Sequence, residues 1–189
     1  RREGVGPAAV GAFVGSLYLP WALKFLFGPF VDVLSSDRWG RHRMWIFMMQ
    51  IGMIVTLLVA SPVHFSAQIK LFTLLILIHN AFGATQDVAI DALAVGTLKE
   101  SERGLANGLM FAGANLGQAV GGSCVLFLTS VIPFRLTFWF VAACIASVTV
   151  SVTLMLREPK TGRPRAEGSA VKAAGREIGT FVHDAYVAF

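Results

Sequence analysis

Charged residues are scarce in this chain. Of its 189 residues, 14% are Asp, Glu, Lys or Arg, whereas 55% are hydrophobic, and a soluble domain has about 25% charged residues. The mean hydropathy is +0.66. The alternative of a large soluble helical protein would require polar faces at helical spacing, and the long apolar stretches lack them. The composition therefore predicts an all-α integral membrane protein in contact with lipid.

The motifs of the common enzyme classes are also missing. There is no G-x-x-x-x-G-K-[ST] for nucleotide phosphates, no H-E-x-x-H for zinc and no G-x-S-x-G for a serine nucleophile. The chain has two cysteines, Cys124 and Cys144, and both lie in apolar stretches, where they are expected to be small packing residues. We therefore expect no catalytic residues, no metal, no cofactor and no nucleic-acid partner.

Five apolar stretches dominate the chain. A helix needs about 20 residues to cross the roughly 30 Å of hydrocarbon in a bilayer, and each stretch meets or approaches that length. The loops between them are short, as is usual for antiparallel neighbours. The predicted spans are approximately 6–33, 44–62, 69–98, 104–130 and 136–156.

Lys and Arg are concentrated in every second loop, and this asymmetry predicts how the spans are oriented in the membrane. By the positive-inside rule, loops rich in Lys and Arg face the cytosol, which places 35–43 inside and His64 outside. The odd number of spans and the missing initiator Met lead us to expect a piece of a longer protein, with one or more helices upstream. The basic residues are Arg38, Arg41 and Arg43, then Lys99 and Arg103, then Arg157, Lys160, Arg163 and Arg165.

The composition changes after the last span. Residues 157–170 are rich in Pro, Gly, Lys and Arg, which predicts a cytosolic linker. Residues 171–189 predict an amphipathic cytosolic helix on the inner leaflet or on the base of the bundle, although a frayed tail is the alternative. The apolar stripe of this helix would consist of Val171, Ile178, Val182 and Tyr186.

The first polar pattern is the turn GPFVDVLSSDRWGRHR between the first two spans. A carboxylate can pair with an arginine or with the positive end of a helix, so the turn predicts a gating latch that can close and release. Ordinary membrane-flanking charge explains the arginines but not the whole arrangement. The predicted gating residues are Gly28, Asp32, Gly40, Arg41 and Arg43.

This turn resembles the signature G-x-x-x-D-R-x-G-R-[RK] of the major facilitator superfamily. The chain departs from it at Val33, where the family has arginine, at the basic position His42, and by a short insertion. In addition, LPWALKFLFGPFVD and ATQDVAIDA resemble the branch that holds the AmpG muropeptide permeases and the acetyl-CoA transporters. The resemblance covers essentially the whole chain. It implies a partial bundle, helices 2–6 plus the start of the central cytosolic loop, lacking helix 1 and the C-terminal half of its own protein.

The second polar pattern places charge inside the spans. Lys24 lies eight residues before Asp32, about 12 Å along a helix, and Asp87 lies eleven residues before Leu98, about 16 Å. These depths are similar, and an unpaired charge near the bilayer centre costs on the order of 3 kcal/mol. We therefore expect Lys24 within about 6 Å of Asp87 or Asp91, facing the interior.

We interpret Lys24, Gln86, Asp87 and Asp91 as a substrate or proton pathway; a structural ion pair is the alternative. A carboxylate with apolar surroundings holds a proton more tightly than one in water. We expect Asp87, nearer the midplane, to carry the proton. Asp91, one turn closer to the cytosol, is expected to pair with the Arg41/Arg43 cluster in the gate.

A stripe of glycines lies in the fourth span. Small residues at every fourth position allow two helices to approach closely, so we predict helix packing. The spacing also resembles the antiporter motif on helix 5 of the superfamily, but Gln118 stands where that motif has proline. Asn115 could present its amide to the central cavity, as could Asn107 and Gln118. The glycines are Gly104, Gly113, Gly117, Gly121 and Gly122.

The resemblance implies a secondary active transporter that binds a small organic solute near the midplane and rocks around it. Its implied function is import of anhydro-muropeptides with protons across the bacterial inner membrane. A carrier of acetyl-CoA or another organic anion is the alternative in the same class. A membrane-bound acyltransferase, using His42 beside Asp37, or a non-transporting scaffold are alternatives of another class.

Overall fold

The computed structural model describes residues 6–33, 40–65, 67–156, 158, 175–176, 179–180 and 183, with only the backbone of Asp32 and Val33. The predicted linker 157–170 and amphipathic helix 171–189 therefore lie almost entirely outside the described residues. The described elements are α1 (Pro7–Leu17), α2 (Leu19–Ala22), a 3₁₀ turn (Lys24–Leu26), α3 (Gly28–Val33), α4 (Arg41–Ala60), α5 (Ile69–Thr97), α6 (Glu100–Val131) and α7 (Phe134–Met155).

Five stretches of helix in the described part are long and apolar enough to cross a membrane. They are Pro7–Leu26, Arg41–Ala60, Ile69–Thr97, Glu100–Val131 and Phe134–Met155. The prediction of an all-α membrane protein with five spans is thus confirmed. The longest helix, α6, begins at Glu100, where the Glu102 side chain accepts a hydrogen bond from the Lys99 N–H at 3.1 Å; a glutamate at this position that reaches back to the N-cap N–H is typical of a helix start.

The first span is broken and does not form one helix over 6–33. Helix α1 ends at Leu17, and Pro20 lies in the first turn of the short α2; Pro29 similarly lies at the start of α3. Proline has no N–H to donate, and its ring clashes with the carbonyl group four residues earlier, so an α-helix cannot continue through it undisturbed. The breaks leave Lys24 in the 3₁₀ turn between α2 and α3.

Helix α4 lies at the centre of the described bundle, packed against α5 on one side and α7 on the other. Val31 of α3 and Ile46 of α4 are buried against Ala89 and Leu93 of α5. Farther along, a Cβ placed on Gly52 of α4 would lie 2.8 Å from the ring of Phe82. The absence of a side chain at Gly52 therefore lets the phenyl ring of α5 lie directly on the backbone of α4.

Replacing Gly52 with alanine is expected to lower the free energy of unfolding by about 1 kcal/mol, because the added methyl group overpacks the contact with Phe82. Unfolding by titration with a denaturing detergent measures this change. Gly113→Ala is the matched control, since a Cβ there meets no atom within 4 Å. A Gly52→Ala protein as stable as the control would contradict the tight contact.

The end of the bundle opposite the basic turn is held by aromatic rings. Phe72 at the start of α5 contacts Phe65 edge to face, with centroids 5.2 Å apart, and Phe138 of α7 at 6.0 Å. The Trp139 indole donates to the Ser61 hydroxyl at 3.1 Å, and this hydroxyl donates to the Arg135 carbonyl at 3.1 Å. These contacts join the end of α4 and the start of α7 with the start of α5.

Helix α6 stands apart from this core, and none of its residues is buried. A Cβ on any of its five predicted packing glycines would meet no atom within 4 Å among the described residues. The predicted packing surface therefore has no partner helix among the described residues and stays a prediction. The reason is that α6 contacts α5 and α7 only locally, so its small-residue face lies open.

Candidate functional site

Helix α5 is oriented about its axis so that its acidic face, with Asp87 and Asp91, points away from α4. Ala89, two residues after Asp87, is completely buried against the core around Ile46. Two residues correspond to about 200° around an α-helix, so Asp87 and Asp91 lie on the opposite side, towards the broken first span. Packing by small and apolar side chains on one face thus decides where the carboxylates of the other face point.

Lys24 meets both carboxylates. Its Nζ atom donates to Oδ2 of Asp87 at 3.1 Å and lies 3.9 Å from Oδ2 of Asp91. The expected proximity, inferred from equal depth and opposite charge, is therefore observed. The position of Lys24 in the 3₁₀ turn matters here, because it brings the Lys24 side chain to the two carboxylates of α5.

These three charged groups line a cavity of about 630 Å³ between the broken span, α5 and α6. Such a volume is in the range of sites for small organic molecules. Its wall on α6 presents two amides, Asn107 and Gln118, opposite the charged wall on α5. The complete lining is Trp21, Lys24, Asp87, Asp91, Ala94, Val95, Leu98, Arg103, Ala106, Asn107, Met110, Phe111, Ala114 and Gln118.

Two residues predicted for the pathway lie elsewhere. Gln86 does not line the cavity, and its Oε1 atom is buried without a hydrogen-bond partner among the described residues. Asn115 is also outside the lining, and its amide donates to the Phe111 carbonyl at 2.8 Å. One residue of difference in position rotates a side chain by about 100°, which places Asn115 beside the wall that Ala114 and Gln118 form.

Trp21 and Arg103 line the cavity but were not predicted to. The Trp21 indole donates to Oδ1 of Asn80 at 3.1 Å, and the Asn80 amide donates in turn to the Ile76 carbonyl at 2.9 Å. A tryptophan near a span end is usually an interfacial anchor, so its type alone did not indicate the cavity. What could have indicated that Trp21 lines the cavity is its position three residues before Lys24 on the same broken span.

The turn before α4 is stabilised by Glu158, a residue that the sequence analysis did not single out. Gly40 caps α4 with φ +86°, a conformation in which side chains are strained. Both carboxylate oxygens of Glu158, which follows α7, accept from the first N–H groups of α4: His42 N at 3.2 and 3.0 Å, and Arg43 N at 3.1 Å. A Cβ on Gly40 would lie 2.8 Å from Oε2 of Glu158.

Glu158 also contacts the His42 ring, with Oε1 2.8 Å from Nδ1, and its side chain is only 6% exposed. The Arg43 guanidinium donates to the Thr153 carbonyl of α7. The described part of the turn is thus a helix cap built by Glu158 and the end of α7. The predicted latch between Asp32 and the arginines cannot be described, because the Asp32 side chain lies outside the described part. Of the other predicted gating residues, Gly28 begins α3, and Gly40, Arg41 and Arg43 lie at the start of α4.

The expectation that Asp91 belongs to this turn is wrong. Its ion-pair partner among the described residues is Lys24, whereas the Arg43 side chain reaches α7. The cause is the rotation of α5, which directs Asp91 into the cavity and away from α4.

A model of the major facilitator superfamily matches residues 4–188 of the chain. The chain belongs to the major facilitator superfamily. Five apolar helices and this membership make it an integral membrane protein, as predicted.

Relatives within the superfamily are distant but consistent. The chain is 27% identical over 160 residues to the anhydromuropeptide permease of Escherichia coli K12, an alignment that covers 83% of this chain and 32% of that protein. It is 28% identical over 151 residues to an uncharacterized protein of Haemophilus influenzae, covering 80% of this chain and 35% of the relative. The chain therefore spans about a third of the length of these relatives. It is also 24% identical over 168 residues to a putative AmpG transporter of Rickettsia conorii, covering 84% of this chain and 40% of that protein, so the expected resemblance to AmpG proteins is confirmed as a similarity.

Proposed function

We propose that the chain forms helices 2–6 of a proton-coupled importer of anhydro-muropeptides in the bacterial inner membrane. The observation that carries this proposal is the cavity that joins Lys24, Asp87 and Asp91 with Trp21 and two amides. Charges inside a membrane persist where they pair or line a watery pathway. Here they do both, beside a discontinuous helix of the kind that lines binding sites in transporters.

The named relative supports the cargo. The E. coli protein is called an anhydromuropeptide permease, and such a solute combines hydroxyl and amide groups with carboxylates. The amides Asn107 and Gln118 suit the neutral polar groups, and the exposed Arg103 suits a carboxylate. Helix 1 and a second six-helix half would close the cavity on the face of α6 that the described residues leave open. By the positive-inside rule, the turn before α4 faces the cytosol.

Uptake by the complete transporter tests this proposal. Reconstituted in liposomes with an acidic exterior, it is expected to accumulate a radiolabelled anhydro-muropeptide, and a protonophore is expected to abolish the accumulation. Acetyl-CoA offered under the same conditions tests the other carrier of this class. Accumulation of acetyl-CoA alone would exclude the muropeptide assignment, and accumulation unaffected by the protonophore would exclude proton coupling.

The rival class is less well supported. A membrane-bound acyltransferase would need a histidine and a carboxylate beside a substrate site. Of the predicted pair, Asp37 lies outside the described residues. The ring of His42 contacts Glu158, but this carboxylate also caps α4, and neither His42 nor Glu158 lines the cavity. This dyad therefore fits a structural role at the turn better than a catalytic one.

A further inference from the structure

In the cavity, the single ammonium group of Lys24 faces two carboxylates. Lys24 of the broken span carries one positive charge, while Asp87 and Asp91 of α5 can carry two negative charges. On α6 the charged lining group is Arg103, which is exposed and donates to the Val95 carbonyl at 2.9 Å. When both aspartates are ionised, one carboxylate beside Lys24 is in excess.

The two carboxylates are not equivalent. The 3.1 Å contact between Lys24 and Asp87 is a charge-assisted hydrogen bond, a type about twice as strong as a neutral one. The 3.9 Å separation from Asp91 is too long for a hydrogen bond. Asp91 also has the more exposed side chain, 48% against 40%. A proton that binds Asp91 therefore removes the excess charge without breaking the stronger contact.

We propose that Asp91 is the carboxyl group that binds the coupled proton, and that Lys24 is a positioning residue that holds the Asp87 side chain in place by their hydrogen bond. This proposal rests on the proposed transport function and reverses the sequence-based expectation that Asp87 carries the proton. Water on the outer side supplies the proton to an Asp91 carboxylate oxygen, and water on the cytosolic side removes it. With the proton bound, Lys24 and Asp87 remain as a neutral pair, so the charged wall of α5 has no unbalanced charge while the transporter reorients. An unbalanced charge is unfavourable inside a membrane.

Infrared spectroscopy of the purified complete transporter tests the site without any transport. As the pH is lowered, the C=O stretching band of a protonated carboxyl group is expected to appear in the wild-type protein. The Asp91 component of this band is expected to be lost in Asp91→Asn, whereas in Asp87→Asn it is expected to remain but to appear at lower pH, because Lys24 then faces Asp91 alone. Glu100→Gln is the matched control, because Glu100 is exposed and outside the cavity. A band that persists in Asp91→Asn and is lost in Asp87→Asn would overturn the proposal.

Transport provides the second readout. Asp91→Asn is expected to lose accumulation driven by a pH gradient, while counterflow of labelled against unlabelled solute remains measurable. Asp91→Glu restores a carboxyl group and is expected to recover both the band and part of the accumulation, which excludes misfolding as the cause.

The two proposals fail in different ways. If the wild-type protein accumulates its solute and Asp91→Asn accumulates it equally, the proton site is wrong and the transport function stands. If the wild type transports no muropeptide but its carboxyl titration is lost in Asp91→Asn, the proposed cargo is wrong and the proton site stands.

Discussion

Replacing Lys24 with methionine is expected to lower proton-driven uptake by the complete transporter about a hundredfold. The Nζ atom of Lys24 contacts both carboxylates of the cavity, and its removal leaves two like charges one helical turn apart with no partner. An unpaired charge in a spanning segment costs on the order of 3 kcal/mol, which corresponds to a factor of roughly 100. Initial rates of uptake into liposomes, normalised to the amount of reconstituted protein, measure the effect.

A double variant separates a transport role of Lys24 from a merely structural one. If Lys24 and Asp87 only neutralise each other, combining Lys24→Met with Asp87→Asn removes both charges and restores uptake. If transport requires the ion pair itself to hold the side chains of the cavity in position, the double variant recovers the yield of folded protein but not uptake. Lys70→Met is the matched control, because Lys70 is exposed at the start of α5 and does not line the cavity. Wild-type uptake by Lys24→Met would exclude any role of the ion pair in transport.

Replacing Glu158 with alanine is expected to lower the free energy of unfolding by about 3 kcal/mol. The carboxylate accepts from the N–H groups of His42 and Arg43 and contacts the His42 ring, and its side chain is almost fully buried. Each buried group left without a partner costs about 1–3 kcal/mol, and the negative charge at the N-terminus of α4 is favourable in itself. Unfolding of the complete protein in a denaturing detergent measures the loss.

Glu158→Gln tests how much of this stabilisation depends on charge. The amide retains one oxygen as an acceptor but is neutral, so its stability is expected to lie between those of the wild type and Glu158→Ala. Glu100→Gln, at an exposed position on α6, controls for the loss of a carboxylate elsewhere. If Glu158→Ala unfolds like this control, the cap makes no net contribution to stability.

Much of this protein follows from local sequence. The five spans are set by the length of apolar stretches, because a helix must be about 20 residues long to cross the bilayer wherever it packs. The approach of Lys24 to Asp87 was also predictable, since the rise per residue gives the depth of each charge and the membrane penalises an unpaired one. Both deductions need only the position of residues along a helix.

The direction in which a side chain points around a helix was decided by tertiary packing. Asp91 was expected beside Arg41 and Arg43, but the burial of Ala89 and Leu93 against α4 rotates it into the cavity beside Lys24. The glycine stripe of α6 shows the same limit: its spacing indicates a packing surface but does not name the partner, and the described helices leave it uncovered.

Contacts between residues far apart in the chain could not be predicted from the sequence pattern either. Glu158 caps α4 through the His42 N–H, although the two residues are 116 positions apart in the chain. The Trp21 indole donates a hydrogen bond to Asn80, which lies 59 positions later. No local spacing relates such residues, because only the packing of α4 against α7, and of α2 against α5, brings them together. The sequence alone determined the class of the protein, its spans and the depth of its charges, whereas the tertiary structure decided which charges share the cavity and which carboxylate fastens the turn.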